Sequence, residues 1–255
     1  MARNLKMVLA YNGAPFSGWQ VQPDRSTVQG TLAGALEQIT GEKILPQGSG
    51  RTDAGVHALA QVASCTTSSS IPSGNLVKAM NSMLPASIRV LSVEEVGEEF
   101  HARHSAKAKT YEYRLYRGEI CPPFLADFVT HNPYPLDEGA MAAGAEAVVG
   151  EHDFTSFAAV DPEKRAPADA EEGTCGNVRT IYSSQWMRDG EELVYRVRGN
   201  GFLHHMVRNL VGTFLLVGRG TLKPDDIEAI LAAKRRSAAG PTAPAEGLYL
   251  VSVEY

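Results

Sequence analysis

Cysteine is scarce and scattered: Cys65, Cys121 and Cys175 are odd in number, far apart, and form no C-x-x-C pair. That pattern excludes a disulfide framework and a cysteine zinc site, and it reads as a chain kept reduced in the cytoplasm. Long hydrophobic runs are also missing. The most apolar stretch, Met206 to Val217, is interrupted by Arg208, Asn209 and Gly212, well short of the roughly 18 apolar residues a membrane span needs. Near the N-terminus only Met7 to Tyr11 is continuously apolar, so neither a secretory leader nor a membrane partner is expected. Positive charge is lacking in total, with 24 Lys and Arg against 29 Asp and Glu, net −5. Such a balance argues against a nucleic-acid partner unless the cations are concentrated. No P-loop, dinucleotide fingerprint, H-E-x-x-H or G-x-S-x-G occurs, which sets aside the commonest nucleotide, metal and serine chemistries.

What is present is ordinary globular material, 44% hydrophobic and 21% charged over 255 residues, enough for one or two domains. Leu5 to Tyr11 reads as a strand stopped by Asn12-Gly13. Thr27 to Ile39 reads as a helix with Val28, Leu32, Leu36 and Ile39 on one stripe, capped by Ser26 or Thr27 and ended by Gly41. Lys43 to Leu45 and Ala58 to Thr66 are expected to pair as strands around a turn-rich loop. A helix over Pro72 to Met83 and a strand over Ile88 to Val96 complete the first half. The second half offers a strand at Lys109 to Arg117 and a helix at Leu136 to Val149. A hairpin follows around Asp189-Gly190, then helices at Leu203 to Val217 and Asp225 to Ala233, and a last strand at Leu248 to Val253. Asp161 to Asn177 is rich in Pro, Gly and acid without periodicity, and reads as a mobile surface loop. Strands and helices mix without strict alternation, so an α+β fold is expected.

The densest chemical signal is G-S-G-R-T-D-A-G-V-H, Gly48 to His57. Three glycines in eight residues suit close approach to a ligand, and the Arg51 guanidinium two residues from Asp53 favours an ionised carboxylate. The same residues equally suit a strand-to-strand turn, with Asp53 in an Asx-turn and Gly55 left-handed. In the helix expected from Leu203, His204 and Arg208 share one flank, while His205 and Asn209 share the other. Arg208 there either sits on a solvated face or is directed at a carboxylate or phosphate. The two adjacent histidines are expected to point apart and to share no metal. Phe100 to Gly118 interleaves Arg103, Lys107, Lys109, Arg114 and Arg117 with Tyr111, Tyr113 and Tyr116. Cations for phosphates beside rings for bases suit unstacked RNA, and the same alternation suits a half-buried strand.

Net charge proves a poor guide to these segments. Phe100 to Gly118 carries +4, and Leu193 to Pro224 carries +5 with no acid at all. The cations are concentrated after all, in blocks that hold Tyr111 and Arg208.

With these motifs in view, the chain resembles the tRNA pseudouridine synthase A family. The resemblance rests on G-R-T-D-A-G-V-H (Gly50 to His57), Y-N-G-A-P-F-S-G-W-Q-V-Q (Tyr11 to Gln22), F-H-A-R (Phe100 to Arg103) and Y-E-Y-R (Tyr111 to Arg114). It extends to D-F-T-S-F (Asp153 to Phe157), H-H-M-V-R-N (His204 to Asn209) and E-G-L-Y-L (Glu246 to Leu250), in family order along the whole chain. It implies isomerisation of uridine in the anticodon stem-loop of tRNAs, at positions 38, 39 and 40, without cofactor or metal. It implies two related α/β halves, residues 1–105 and 106–255, sharing a central, largely antiparallel sheet, with a basic cleft between them, and a homodimer. Asp53 is the implied catalytic residue. Tyr111, Arg51, Arg208 and Leu248 are expected to bind the target nucleotide, and Arg103, Lys107 and Lys109 the RNA backbone. Two departures stand out: Asn12 occupies a position where relatives usually carry Asp, and 161–177 is longer and more acidic than usual. A rival expectation is a non-catalytic RNA-recognition module, since R-G-N-G-F-L-H-H (Arg198 to His205) partly follows an RNP1 pattern, with Asn200 in place of a stacking aromatic.

Overall fold

A computed structural model describes residues 2–159 and 176–255. Cys175 and positions 161–175 of the expected acidic loop lie outside the described residues. The fold is α+β, and the chain divides into two compact units, Met1–Thr110 with Leu248–Tyr255, and Tyr111–Gly247.

The first unit contains β1 (Arg3–Tyr11), α1 (Val28–Thr40), β2 (Gln47–Gly48), β3 (His57–Thr67), α2 (Ser73–Met83) and β4 (Ile88–Val96), joined by the C-terminal β10 (Leu248–Glu254). Its strands run β4-β1-β3-β10, with β1 antiparallel to both neighbours and β10 parallel to β3. Leu5, Met7, Leu9 and Tyr11 alternate into the core, as a half-buried strand requires. In β4 the buried series Ile88, Val90, Val93 changes parity, because the β1–β4 register slips between Val8 and Leu9. Helix α1 starts where Thr27 accepts a bond from Gly30 N–H, and ends at Gly41 in a left-handed conformation. The strand expected at Lys43 to Leu45 does not form. Pro46 has no N–H to give a ladder, and pairing begins beyond it, with Gln47 and Gly48 opposite Ser64 and Ala63.

The second unit holds most of β5 (Ala108–Tyr116), then β6 (Thr130–His131), α3 (Glu138–Glu146), β7 (Gly150–Asp153), β8 (Val178–Asp189), β9 (Glu192–Gly199), α4 (Met206–Gly218) and α5 (Asp226–Ala233). Strand order is β5-β9-β8-β7, with β6 parallel to β5. The hairpin closes on the pair Asp189–Glu192, around Gly190 at φ 57°. Asp137 caps α3 through Ala140 N–H, so that helix is shorter at both ends than its alanine-rich sequence suggests. Strand β7, G-E-H-D, went unread because an edge strand of charged residues carries no apolar period.

Helix α4 differs most from expectation. It begins at Met206, so Leu203 and His204 precede it, and His205 caps it with φ 58°. His204 and Arg208 therefore do not share a helical flank. The two histidine rings, expected apart, lie 3.9 Å centroid to centroid, because the left-handed turn at His205 interrupts the helical rotation between neighbours. An apolar stripe would bury one side of α4, yet Asn209, Gly212 and Thr213 are buried as well. Residues 240–243 cover that side.

Candidate active site

The loop from Ser49 to Val56 leaves β2 and enters β3 with its main chain held on several sides. Ser49 N–H donates to Val62 O at 2.7 Å, and Lys109 Nζ donates to Ser49 O at 2.6 Å. Trp19 N–H donates to Thr52 O at 3.0 Å, and Gly55 N–H to Phe16 O at 3.4 Å. Gly13 N–H donates to His57 Nδ1 at 3.0 Å, so that nitrogen carries a lone pair. The segment 11–22 thus wraps the loop. At Gly13 the approach is closest: a Cβ there would stand 2.0 Å from Val56 O. Asn12 Oδ1 accepts from Ala14 N–H at 2.9 Å. A carboxylate oxygen would accept the same bond, so Asn and Asp are equivalent in this turn.

Within the loop the side chains divide sharply. Ser49, Thr52, Val56 and His57 are buried, Arg51 is exposed and Asp53 is half-buried. Thr52 Oγ1 lies 2.8 Å from Tyr11 Oη, whose ionisation burial pushes up to about 12. His57 stacks on Tyr249, its partner in the parallel β3–β10 register, with centroids 4.7 Å apart. Leu248, buried, stands one residue ahead of that pair. Gly55 is left-handed, as the turn reading required, with Val56 N–H closing the turn on Asp53 O at 3.1 Å.

In the same unit, F-H-A-R is tied down by Ala102, whose N–H donates to Ser64 Oγ and whose carbonyl accepts from Tyr255 Oη. His101 Nδ1 accepts from the N–H groups of Arg103 and His104. Burial, with His104 and Arg103 nearby, holds the His101 pKa below its usual range, so the ring stays a neutral acceptor. Arg103 and Lys107 remain exposed.

In the second unit, Tyr111 is buried and its ring meets Phe202 edge-on, 4.9 Å between centroids. Glu112 on the opposite face of β5 is also buried, and accepts from Arg196 Nε at 2.8 Å and from Arg114 at 3.3 Å. The strand is covered on both faces, which its tyrosine alternation did not reveal. Arg208, half-buried in the first turn of α4, donates from Nε to Ala243 O at 2.8 Å, while Ala243 N–H returns a bond to Arg208 O. D-F-T-S-F proves to be scaffolding. Asp153 accepts from Thr155 and pairs with Lys234, Ser156 donates to Ile230 O, and Phe157 O accepts from Asn209 Nδ2.

Ser49, Gln61 and Tyr11 hold the loop from beneath, and none of them is expected from the sequence as a site residue. The signal was there in Gln61, an amide inside the apolar run H-A-L-A-Q-V-A.

A family model for tRNA pseudouridine synthase matches residues 7–105 and 145–255. The tRNA pseudouridine synthase A of Solibacter usitatus is 53% identical over 253 residues, which span 99% of this chain and all of the relative. Those of Brevibacillus brevis and Moorella thermoacetica are each 45% identical, spanning 99% and 98% of this chain and 100% and 99% of the relatives. The chain belongs to the tRNA pseudouridine synthase A family. Members of this family are isomerases, so the reading as a non-catalytic RNA-recognition module falls away. The RNP1-like segment agrees with that: Asn200 is bonded by N–H and Oδ1 to Thr180 after β9 has ended. No helix among the described residues is long and apolar enough to cross a membrane.

Proposed function

We propose that this tRNA pseudouridine synthase isomerises uridine in the anticodon stem-loop, at positions 38, 39 and 40, with Asp53 as its catalytic carboxylate. The observation that carries the reading is the loop itself: its main chain is fixed on several sides while Arg51 is exposed and Asp53 half-exposed. The reaction breaks the bond from ribose C1′ to N1, turns the uracil, and joins C5 to C1′. The proton lost at C5 is balanced by one gained at N1. An ionised Asp53 serves either by adding to the nucleotide or by stabilising positive charge at C1′. Arg208 is its charge partner in this scheme. Arg51 holds the target nucleotide out of the stem, since a stacked base is out of reach. Tyr111 lies against the uracil, its hydroxyl relaying the C5 proton by passing its own proton on to solvent, and Leu248 closes the pocket's other side. Mapping pseudouridine on bulk tRNA by carbodiimide-stopped primer extension tests the assignment. Stops that appear only with active enzyme at 38 to 40 support it, and stops confined to other positions overturn it.

Arg103 and Lys107 take backbone phosphates, and Lys109, already bonded to Ser49, braces the loop beside them. Arg103→Ala and Lys107→Ala are each expected to weaken tRNA binding and to flatten the slope of log K against log salt by about 1. A wild-type affinity that barely changes with salt contradicts this.

We infer that the enzyme works in the cytoplasm, where it meets its tRNA substrate, and that it acts as a homodimer. Ile120, Phe124 and Tyr134 are 80%, 89% and 68% exposed, large apolar side chains that a second copy would cover. Phe124→Asp should shift sedimentation from dimer to monomer; a wild-type chain that sediments as monomer at micromolar concentration removes the idea.

A further inference from the structure

Gln61 is fully buried in β3, directly beneath the loop that carries Asp53. Its Oε1 accepts from Ser49 Oγ at 2.7 Å and from Val62 N–H at 3.2 Å. Its Nε2 donates to Gly50 O at 3.0 Å and towards Tyr11 Oη at 3.4 Å. Both amide donors and the carbonyl are therefore used, the condition under which a buried amide is tolerated. With Nε2 donating towards Tyr11 Oη, the Tyr11 hydroxyl hydrogen is available to Thr52 Oγ1, 2.8 Å away. One side chain thus reaches Ser49, Gly50 and, through Tyr11, Thr52. Those residues flank Arg51 and lead directly into Asp53.

We propose that Gln61 is a positioning residue for the isomerisation, fixing the direction in which Arg51 and Asp53 leave the loop. The inference rests on Asp53 being the catalytic carboxylate. A strand needs no amide at this position to stay buried, because the neighbours Val62 and Ala63 are apolar and buried. What the amide supplies is a set of directional bonds to one loop. Displacing a reacting group by about 1 Å can cost on the order of 10²-fold in rate, so loss of the clamp should register in chemistry more than in binding.

The test uses the full chain carrying Gln61→Leu, Gln61→Glu or Tyr11→Phe, with tRNA containing C5-tritiated uridine. Single-turnover tritium release, tRNA affinity by filter binding and thermal unfolding are measured on each. Gln61→Leu is expected to lose about 10²-fold in rate while tRNA affinity stays within about twofold and the protein is folded at the assay temperature. Tyr11→Phe, which removes the Tyr11 hydroxyl from both Gln61 and Thr52 but leaves the Gln61 bonds to Ser49 and Gly50, should lose about 10-fold. Gln61→Glu sets a carboxylate against Gly50 O at neutral pH. Burial raises the pKa of such a carboxyl, so its activity relative to wild type should recover as pH falls and the group becomes a donor again. A Gln61→Leu rate within about twofold of wild type overturns the proposal. Should that variant fail to fold, a Gln61→Glu to wild-type ratio that is flat with pH overturns it instead. Asp53→Ala separates the two readings: an active Asp53→Ala removes the catalytic assignment, whereas an inactive one beside an unimpaired Gln61→Leu removes only the positioning role.

Discussion

Asp53→Ala is expected to lower the single-turnover rate of tritium release by at least about 10⁴-fold, with tRNA affinity changed only a few-fold. No other group in the loop can stand in for it. His57 is buried with Nδ1 occupied by Gly13 N–H, and the Thr52 hydroxyl is turned inward to Tyr11. Arg51 carries the wrong charge for either role given to the carboxylate. The turn is closed by Val56 N–H on the main-chain carbonyl of Asp53, a bond that alanine keeps. The partner role of Arg208 is read from the same assay. If Asp53 and Arg208 act as one unit, Asp53→Asn combined with Arg208→Met costs less than the two single losses together, whereas strict additivity counts against coupling. An Asp53→Ala enzyme that releases tritium at the wild-type rate ends the mechanism.

The loop was legible because its chemistry is local in sequence. Arg51, Asp53 and three glycines fall within a few residues, and the left-handed Gly55 follows from the same turn chemistry. Helix α1 was legible for a like reason, with its stripe, its Thr27 cap and its Gly41 stop all written in consecutive residues. What could not be read depends on partners distant in sequence. Gln61 gains its meaning only from Tyr11, Ser49 and Gly50, and Glu112 only from Arg196. Order in the chain puts the C-terminal strand in the second half, yet Tyr249 pairs with His57 in the first unit. A strand's neighbour across a sheet is set by topology, which a period-2 pattern does not encode. Helix α4 departs from expectation for a related reason: periodicity reports one covering surface, and 240–243 supplies another.

That second surface gives the largest expected loss of stability. A Cβ at Gly212 would stand 1.7 Å from Pro241 O and 2.9 Å from Pro241 C, and both partners are backbone, with no flexible end to move aside. Gly212→Ala must therefore push α4 and 240–243 apart. That separation strains the paired bonds between Arg208 and Ala243, the bond from Gly240 N–H to Thr213 Oγ1, and that from Thr242 Oγ1 to Asn209 Oδ1. Overpacking costs about 1–3 kcal/mol, and each weakened buried bond about 1 kcal/mol. Against this, alanine gains only about 1 kcal/mol over glycine in a helix interior. The clash wins, by about 3 kcal/mol net, a fall in Tm of roughly 6–12 °C for a chain of this size. Gly34→Ala in α1 is the matched control, because nothing lies within 4 Å of a Cβ there. It should gain up to about 1 kcal/mol from the same propensity term. A Gly212→Ala protein that melts at or above the wild-type temperature would falsify the close approach. One that melts lower yet keeps its rate below the transition would show that the grip of Ala243 on Arg208 does not govern catalysis.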